Sequence, residues 1–152
     1  MRKRLNASER TVVTILIIYT KDDFVKRVKE ITNGEGVPVV YDGVGQATFM
    51  KSLSCLKVRG QMVIFGWSSG KVPPLDVHRL NSKSLSVTNP SVGHYTATRE
   101  ELLESAEALF DVVSRGALNI EVNHRYSLND AVQAHVDLEN RKTTGSIVLL
   151  PE

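Results

Sequence analysis

The chain has 152 residues, of which 41% are hydrophobic and 24% are charged, and its formal net charge is +2. This length suits one domain with a working core, and the composition is ordinary for a globular protein. So small a net charge, on basic residues interspersed with acids, argues against a nucleic-acid partner. No apolar stretch is long enough to span a membrane. The single cysteine, Cys55, excludes an internal disulfide framework and suits a reducing cytosol.

The first 18 residues combine a basic run with an apolar run. Residues 2–4 are basic, and residues 12–19 are mostly β-branched or apolar, which faintly imitates a signal peptide. However, the apolar run is short, and residues 21–23 are charged where a cleavage site should lie. We therefore predict a buried strand over 12–19 and a cytoplasmic protein.

Strands and helices alternate in the first half of the chain. Asp22 or Asp23 can cap a helix, because Phe24, Val28 and Ile31 follow on one face at helical spacing. The elements predicted after it are a strand over 37–42, a helix over 46–59 and a strand over 61–66. This alternation implies right-handed crossovers and a parallel sheet.

The second predicted helix has its own start and stop signals. Phe49, Leu53 and Leu56 recur at helical spacing and should face inward, and Gly60 should end the helix. Cys55 lies among these apolar positions, which favours a packing role for its side chain.

In the second half of the chain, strands and helices no longer alternate regularly. A loop over 67–79, a short strand over 84–88 and a turn over 89–93 come first. Residues 98–101 form a capping box that opens a helix, and Gly116 closes this helix. Residues 120–126 should be extended, and residues 147–150 should form the last strand. Ser127 should cap a helix over 128–140 that directs Ala131, Ala134, His135 and Leu138 toward the core.

These elements predict an α/β fold: a partial Rossmann-type doubly wound parallel sheet with a C-terminal helix-and-strand tail. Three segments follow from this order, namely residues 1–18, residues 19–95 and residues 96–152. The first holds the unmatched start and the first strand, and the second holds most of the sheet.

The carboxyl ends of the predicted strands converge on residues 42–45, 65–69 and 88–91, which favours a ligand crevice at that edge. Gly43, Gly45 and Gly66 would let a flat ring or a ribose approach the backbone closely. Taken one at a time, glycines after strands can equally serve only to make turns.

Polar and aromatic side chains accompany these glycines. Ser68 and Ser69 offer hydroxyls, and Trp67 could stack on a ligand ring. No Gly-x-Gly-x-x-Gly motif precedes the strands, so the usual phosphate-binding turn is absent from this sequence. The four histidines are scattered without zinc-ligand spacing, and no Gly-x-Ser-x-Gly elbow occurs.

From about Tyr19 to its end, the chain resembles the zinc-independent NADPH:quinone oxidoreductases, the zeta-crystallin-like branch of the medium-chain dehydrogenases/reductases. No single motif decides this resemblance, but the collinear order of the motifs is specific. The matching motifs are residues 19–24, 28–32, 39–45, 52–53 with Gly60, 65–66 with 68–70, 90–91, 98–102 and 127–151.

The resemblance implies hydride transfer from NADPH to a quinone or another conjugated carbonyl. It further implies that Tyr19 and Arg141 hold the 2′-phosphate of NADPH, which a phenol and a guanidinium can do by donating hydrogen bonds. The remaining cofactor positions implied by the resemblance are Gly43, Val44, Gly66, Trp67, Ser68, Ser69, Asn89, Pro90 and Ser91. It assigns no catalytic residue.

The sequence departs from the family in what precedes Tyr19 and at Trp67, where the better-known members carry a small polar residue and where so large a ring could stack on the cofactor or block it. The family's catalytic domain and its glycine-rich turn are absent from this sequence, and residues 96–152 resemble the part that packs on that domain. We therefore expect a truncated oxidoreductase. The alternative is an inactive derivative that acts as a self-association or partner-binding module. The family often dimerises through the strand matching residues 84–88, so a homodimer is expected by resemblance.

Overall fold

The computed structural model describes residues 15–151. The described chain divides into two compact units, with the boundary between Ser91 and Val92. Within the described residues, no helix combines the length and the apolar character needed to cross a membrane.

A three-stranded parallel sheet organises the first unit, which confirms the predicted α/β arrangement. The strand order is β1-β2-β3, with Val40 opposite Met62 and Met62 opposite Val87. The elements are α1 (Phe24–Ile31), β1 (Val37–Asp42), α2 (Phe49–Ser54), β2 (Leu56–Ile64), α3 (His78–Asn81) and β3 (Ser86–Thr88).

Local sequence signals explain α1 and β1. The Asp23 carboxylate accepts hydrogen bonds from the backbone N–H groups of Val25 and Lys26 at 3.1 and 3.2 Å, so it caps the helix as predicted. Gly34 and Gly36, with φ of 86° and 91°, form the left-handed turn between the two elements.

The predicted helix over 46–59 is wrong in its second half. The helix α2 ends at Ser54, and β2 already begins at Leu56, so Gly60 lies inside a strand. The sequence pattern was ambiguous here, because a buried Leu56 fits both the next inward position of a helix and the first residue of a strand. Pairing with β1 decides the matter, since Val37 donates its N–H to the Cys55 carbonyl at 2.9 Å.

Three other boundaries also differ from prediction. Residues 15–19 of the strand expected over 12–19 form no strand, and residues 12–14 lie outside the described part of the chain. The Ile18 carbonyl instead accepts the N–H groups of Lys21 and Asp22, which closes a turn. The expected loop over 67–79 includes the start of α3, and the expected turn over 89–93 runs into a short helix at Val92.

The core of the first unit lies between α2 and the sheet. Phe49 and Leu53 come from α2, and Leu56, Met62 and Ile64 come from β2. Among the described residues, Phe49, Leu56 and Met62 are the largest fully buried side chains. The predicted inward direction of Phe49, Leu53 and Leu56 is therefore confirmed.

The second unit contains α4 (Val92–Tyr95), α5 (Arg99–Ser114), β4 (Val122–Ser127), a 3₁₀ turn (Leu128–Asp130), α6 (Ala131–Glu139) and β5 (Ser146–Leu150). Here β4 and β5 pair in parallel. The capping box of α5 is confirmed, because Thr98 accepts the Glu101 N–H at 3.2 Å and the Glu101 carboxylate accepts the Thr98 N–H at 3.0 Å.

The predicted inward face of α6 is wrong for His135 and Leu138. Ala134 is buried, but His135 and Leu138 are exposed. A two-stranded sheet is too narrow to cover a whole helix face, so Ala134 alone is buried on α6.

We predict that Leu56→Ala lowers the free energy of unfolding of the first unit by about 2–5 kcal/mol, because it opens a cavity beneath α2. Val58→Ala, two residues along the same strand and 65% exposed, is the matched control and should cost less than about 1 kcal/mol. Urea unfolding followed by the fluorescence of Trp67, the one tryptophan, measures both. Equal losses in the two variants would contradict the core assignment.

Candidate functional site

Two loops meet at the carboxyl edge of the first unit's sheet. One loop follows β1, and the other follows β2. Ser68 donates its backbone N–H to the Gly43 carbonyl at 3.3 Å, and Ser69 donates its N–H to the Val44 carbonyl at 2.8 Å. The two loops are therefore joined through their backbones, and four of the predicted site residues lie at the junction.

The hydroxyl of Ser69 reinforces this junction. It donates a hydrogen bond to the Val44 carbonyl at 2.7 Å and accepts the Ala47 N–H at 2.9 Å. This hydroxyl therefore fixes the loops to each other and to the segment that leads into α2.

The glycines allow the loops to come this close. A Cβ atom at Gly43 would lie 2.8 Å from the Phe65 ring, and one at Gly66 would lie 3.0 Å from the Gly43 carbonyl oxygen. Gly45 has φ of 85°, and a Cβ there would lie 2.6 Å from the Gly70 carbonyl oxygen. Each glycine thus makes room for the neighbouring loop. The sequence had left two roles open for these glycines, close approach of a ligand and formation of turns, and this contact belongs to the second.

A buried carboxylate lies under the junction. Asp42, the last residue of β1, is 4% exposed. Its Oδ1 atom accepts the backbone N–H groups of Val44 and Gly45 at 2.8 and 3.0 Å. Its Oδ2 atom accepts the hydroxyls of Thr48 and Ser52, each at 2.8 Å. One side chain therefore holds the end of a strand, the glycine loop and the start of α2.

The electrostatics of Asp42 follow from these contacts. Burial would raise the pKa of the carboxyl, but the surrounding hydrogen bonds from amides and hydroxyls outweigh it and hold the pKa below its ordinary value. The group is therefore a carboxylate at neutral pH, with its negative charge already engaged by donors.

A cavity of about 260 Å³ opens beside this carboxylate. It brings together three of the predicted site residues, Tyr19, Gly43 and Val44. The other lining residues are Ile17, Phe24, Val28, Tyr41, Asp42, Thr48 and Ser52. Its lining, with apolar and aromatic side chains and a few polar groups, suits a ring or a sugar of a small ligand.

The remaining predicted residues of the first unit follow the same edge. Trp67 is 57% exposed, so its ring is available for stacking. Asn89, Pro90 and Ser91 come directly after β3, which pairs with β2 up to Thr88. Register thus places all three strand ends at one edge of the sheet.

Arg141 belongs to the second unit. It follows α6 in a left-handed conformation, with φ of 56°, and its N–H donates to the Leu138 carbonyl at 3.0 Å. Its guanidinium forms no ion pair with any residue between 15 and 151. A non-glycine residue in this conformation needs support from its neighbours.

Asp137 supplies that support. Its carboxylate accepts hydrogen bonds from the Tyr126 hydroxyl at 3.1 Å, from Gln133 at 3.0 Å and from Lys142 at 3.1 Å. The hydrogen bond from Lys142, with the others, holds the pKa of Asp137 below its ordinary value. The backbone carbonyl of Asp137 also accepts the Lys142 N–H at 2.9 Å, so the turn that carries Arg141 is held from both sides.

Sequence reasoning missed the polar cluster of Asp42, Thr48 and Ser52. Its signal was present, since Asp42 ends an apolar strand and the two hydroxyl residues are four positions apart on one helix face. No local rule links the strand to that helix face, so the cluster becomes visible only in three dimensions.

The comparisons with known proteins decide the family. The sequence profile described as zinc-binding dehydrogenase matches residues 13–149. The chain belongs to the zinc-binding dehydrogenase family. Quinone oxidoreductase 1 of Escherichia coli (strain K12) is 48% identical over 139 residues, which are 90% of this chain and 42% of that protein. The 2-haloacrylate reductase of a Burkholderia species is 43% identical, with 90% of this chain and 41% of that protein covered.

Solved structures of this dehydrogenase family agree with the fold. The structure of the Escherichia coli quinone oxidoreductase in complex with NADPH superposes with a TM-score of 0.83 at 48% identity, covering 89% of this chain and 42% of that one. The chain thus spans about two fifths of the length of the relatives it matches. The resemblance inferred from the ordered motifs is confirmed.

The family's name raises the question of zinc. Among residues 15–151, no group of three or more His, Cys, Asp or Glu side chains could hold a metal ion. His124, for instance, already accepts the Thr144 N–H at 3.1 Å. The described residues therefore do not offer a zinc ligand set.

We predict that Asp42→Asn lowers the free energy of unfolding of the first unit by about 1–3 kcal/mol at pH 7, because an amide cannot accept from all four donors. The ordinary pKa is 3.8 and the folded-state pKa is lower, so the contribution of the carboxylate is complete well above 3.8 and is lost as the pH falls through the folded-state pKa. The difference between the two chains should shrink in that acidic range.

Urea unfolding at a series of pH values measures this difference. The exposed Asp22→Asn variant is the control and should match the unmodified chain. A difference that stays constant down to acidic pH would show that the charge of Asp42 does not stabilise the fold.

Proposed function

We propose that this chain is part of an NADPH-dependent quinone oxidoreductase, which transfers hydride from NADPH to a quinone or another conjugated carbonyl. The observation that carries the proposal is the cavity at the carboxyl edge, where Tyr19 meets the loop of Gly43 and Val44. The 48% identity to an oxidoreductase solved with NADPH supports the choice of cofactor. The 2-haloacrylate reductase among the relatives supports a conjugated carbonyl as acceptor.

The residues of this chain would bind and orient the cofactor. The nicotinamide ring of NADPH supplies the hydride chemistry, and the protein contributes position and exclusion of water. Tyr19 would donate its phenol hydrogen bond to the 2′-phosphate, and Gly43 and Val44 would lie along the cofactor. Gly66, Trp67 and Ser68 would border the nicotinamide half, as would the residues after β3: Asn89, Pro90 and Ser91.

The joined loops would make this edge rigid before the ligand arrives. Ser69 ties its own loop to Val44 and to Ala47, so little backbone freedom remains to be lost on binding. In this proposal Ser69 acts by holding the loop, while Trp67 contacts the ring.

Arg141 is proposed as a contact of the 2′-phosphate from the family resemblance. Its planar guanidinium can donate two hydrogen bonds to a phosphate, and its left-handed backbone is held by the contacts of Asp137. Zinc independence and a cytoplasmic location remain predictions from the sequence.

Titration with NADPH and NADH, followed by the fluorescence of Trp67, tests this function. We expect saturable quenching by NADPH in the micromolar range and weaker binding of NADH. Arg141→Ala and Tyr19→Phe should each weaken NADPH binding about tenfold and leave NADH binding nearly unchanged, because each loses a hydrogen bond to the 2′-phosphate.

Lys26→Gln, on the exposed face of α1, is the control and should bind both nucleotides as the unmodified chain does. Absence of quenching at millimolar NADPH would contradict cofactor binding by this chain. Quenching without any preference for NADPH would contradict the phosphate roles of Tyr19 and Arg141.

Self-association is the second candidate function, and two observations favour it. The strand β3 pairs with β2 along one edge, and among the described residues its other edge has no partner strand. The helix α5 has no buried residue, and its Leu102, Leu109 and Phe110 side chains are 43%, 48% and 67% exposed. Unpaired strand edges and apolar faces both favour association between copies.

We predict a homodimer that pairs through the edge of β3. Sedimentation equilibrium should give twice the chain mass, and Ser86→Lys should shift the mass toward that of the monomer, because like charges would face each other across the interface. Ser105→Lys, between Leu102 and Leu109 on α5, is the matched variant and should leave the dimer intact. Loss of the dimer in Ser105→Lys alone would assign the interface to α5, and a monomeric unmodified chain would contradict self-association.

A further inference from the structure

A second and larger cavity, of about 750 Å³, lies in the first unit away from the glycine loops. It is lined by four residues of α2, by residues in and after α3 and by Lys29 of α1. The strands β2 and β3 both begin beside it, at Leu56 and at Ser86. The two sites share α2 but no lining residue, since Thr48 and Ser52 bind Asp42 whereas Met50, Lys51, Leu53 and Ser54 line this cavity.

Positive charge is concentrated around this cavity. Lys29, Lys51, Arg79 and Lys83 line it, and no aspartate or glutamate does. None of these four cations forms an ion pair with a residue of the described chain. A cavity with four unpaired cations and no carboxylate favours an anionic occupant.

The floor of the cavity is apolar. Met50, Leu53, Leu80 and Leu85 line it, and all four belong to the core cluster or pack against it. Cations at the rim and an apolar floor together favour a ligand that carries an anionic head on an apolar body.

The positions of the four cations strengthen this interpretation. Lys29, Lys51 and Arg79 lie in the last turns of their helices, where a cation also stabilises the helix dipole. Lys83 lies beyond any helix and donates to the Leu56 carbonyl at 2.6 Å, which holds its ammonium group at the cavity. Dipole stabilisation would account for one cation on each helix, but not for their convergence on one apolar-floored cavity.

The neighbouring Cys55 thiol is close to two of these cations. Burial raises the pKa of this thiol, the positive charges of Lys29 and Lys83 act to lower it, and the negative charge of Asp23 acts to raise it. Lys29 and Lys83 are therefore near enough to each other to act on one buried atom.

We propose that this cavity is a binding site for an amphiphilic organic anion, in which a carboxylate or phosphate head contacts the four cations and an apolar chain covers the floor. The site does not depend on the proposed oxidoreductase activity, because it shares no lining residue with the cavity that contains Tyr19.

Titration of the ¹⁵N-labelled full chain with decanoate, followed by amide chemical shifts, tests this proposal. We expect saturable shifts at residues 50–54 and 79–85, with the amides of residues 43–45 unaffected. Decanol, which lacks the charge, and inorganic phosphate, which lacks the chain, should each bind at least about tenfold more weakly. Decyltrimethylammonium should not bind at this cavity.

The double variant Lys51→Gln/Arg79→Gln should weaken decanoate binding about tenfold or more without changing the fold of the first unit. Lys26→Gln, on α1 outside the cavity, is the control and should bind decanoate as the unmodified chain does. Equal affinity in the double variant would overturn the site, as would shifts spread over the whole chain. Phosphate binding as tight as that of decanoate would reduce it to a simple anion site and overturn the role of the apolar floor.

Discussion

The buried carboxylate of Asp42 is the constraint on which the carboxyl edge of the sheet depends. It accepts hydrogen bonds from two loop amides and from two hydroxyls of the following segment, so it fixes where β1 ends and where α2 begins. Both loop amides would otherwise be without an acceptor close to the core, where an unpaired donor costs about 1–3 kcal/mol. The position of the glycine loop, and with it the shape of the cavity beside Tyr19, follows from this one side chain.

Local signals predicted the elements that local interactions determine. The helix α1 has its aspartate cap, α5 has a complete capping box, and β1 is a short apolar run bounded by glycines. The boundary between α2 and β2 could not be predicted, because the burial of Leu56 satisfies either element and the decision comes from pairing with a strand about twenty residues away. The exposure of His135 has a similar origin, since the width of the sheet that covers α6 is a tertiary property.

The candidate site divides in the same way. Glycines after strands marked the correct edge of the sheet, because that edge is a property of parallel topology. The role of each residue could not be predicted in the same way. The Ser69 hydroxyl and the small size of the glycines serve the contact between two loops, which the sequence alone does not reveal. The basic cavity had no signal along the chain at all. Its cations come from three helices and one loop, and only the fold brings them together.

The charge of Asp42 also constrains how an anionic cofactor can lie in the crevice. A carboxylate and a phosphate about 5 Å apart repel by about 3 kcal/mol at an effective dielectric constant of about 20. The four donors around Asp42 reduce this repulsion but do not abolish it, because the carboxylate remains ionised. A phosphate is therefore disfavoured next to Asp42, where an uncharged ring or ribose is favoured. This polarity fits the proposed orientation of NADPH, in which Tyr19 contacts the 2′-phosphate and the glycine loop contacts the neutral part of the cofactor.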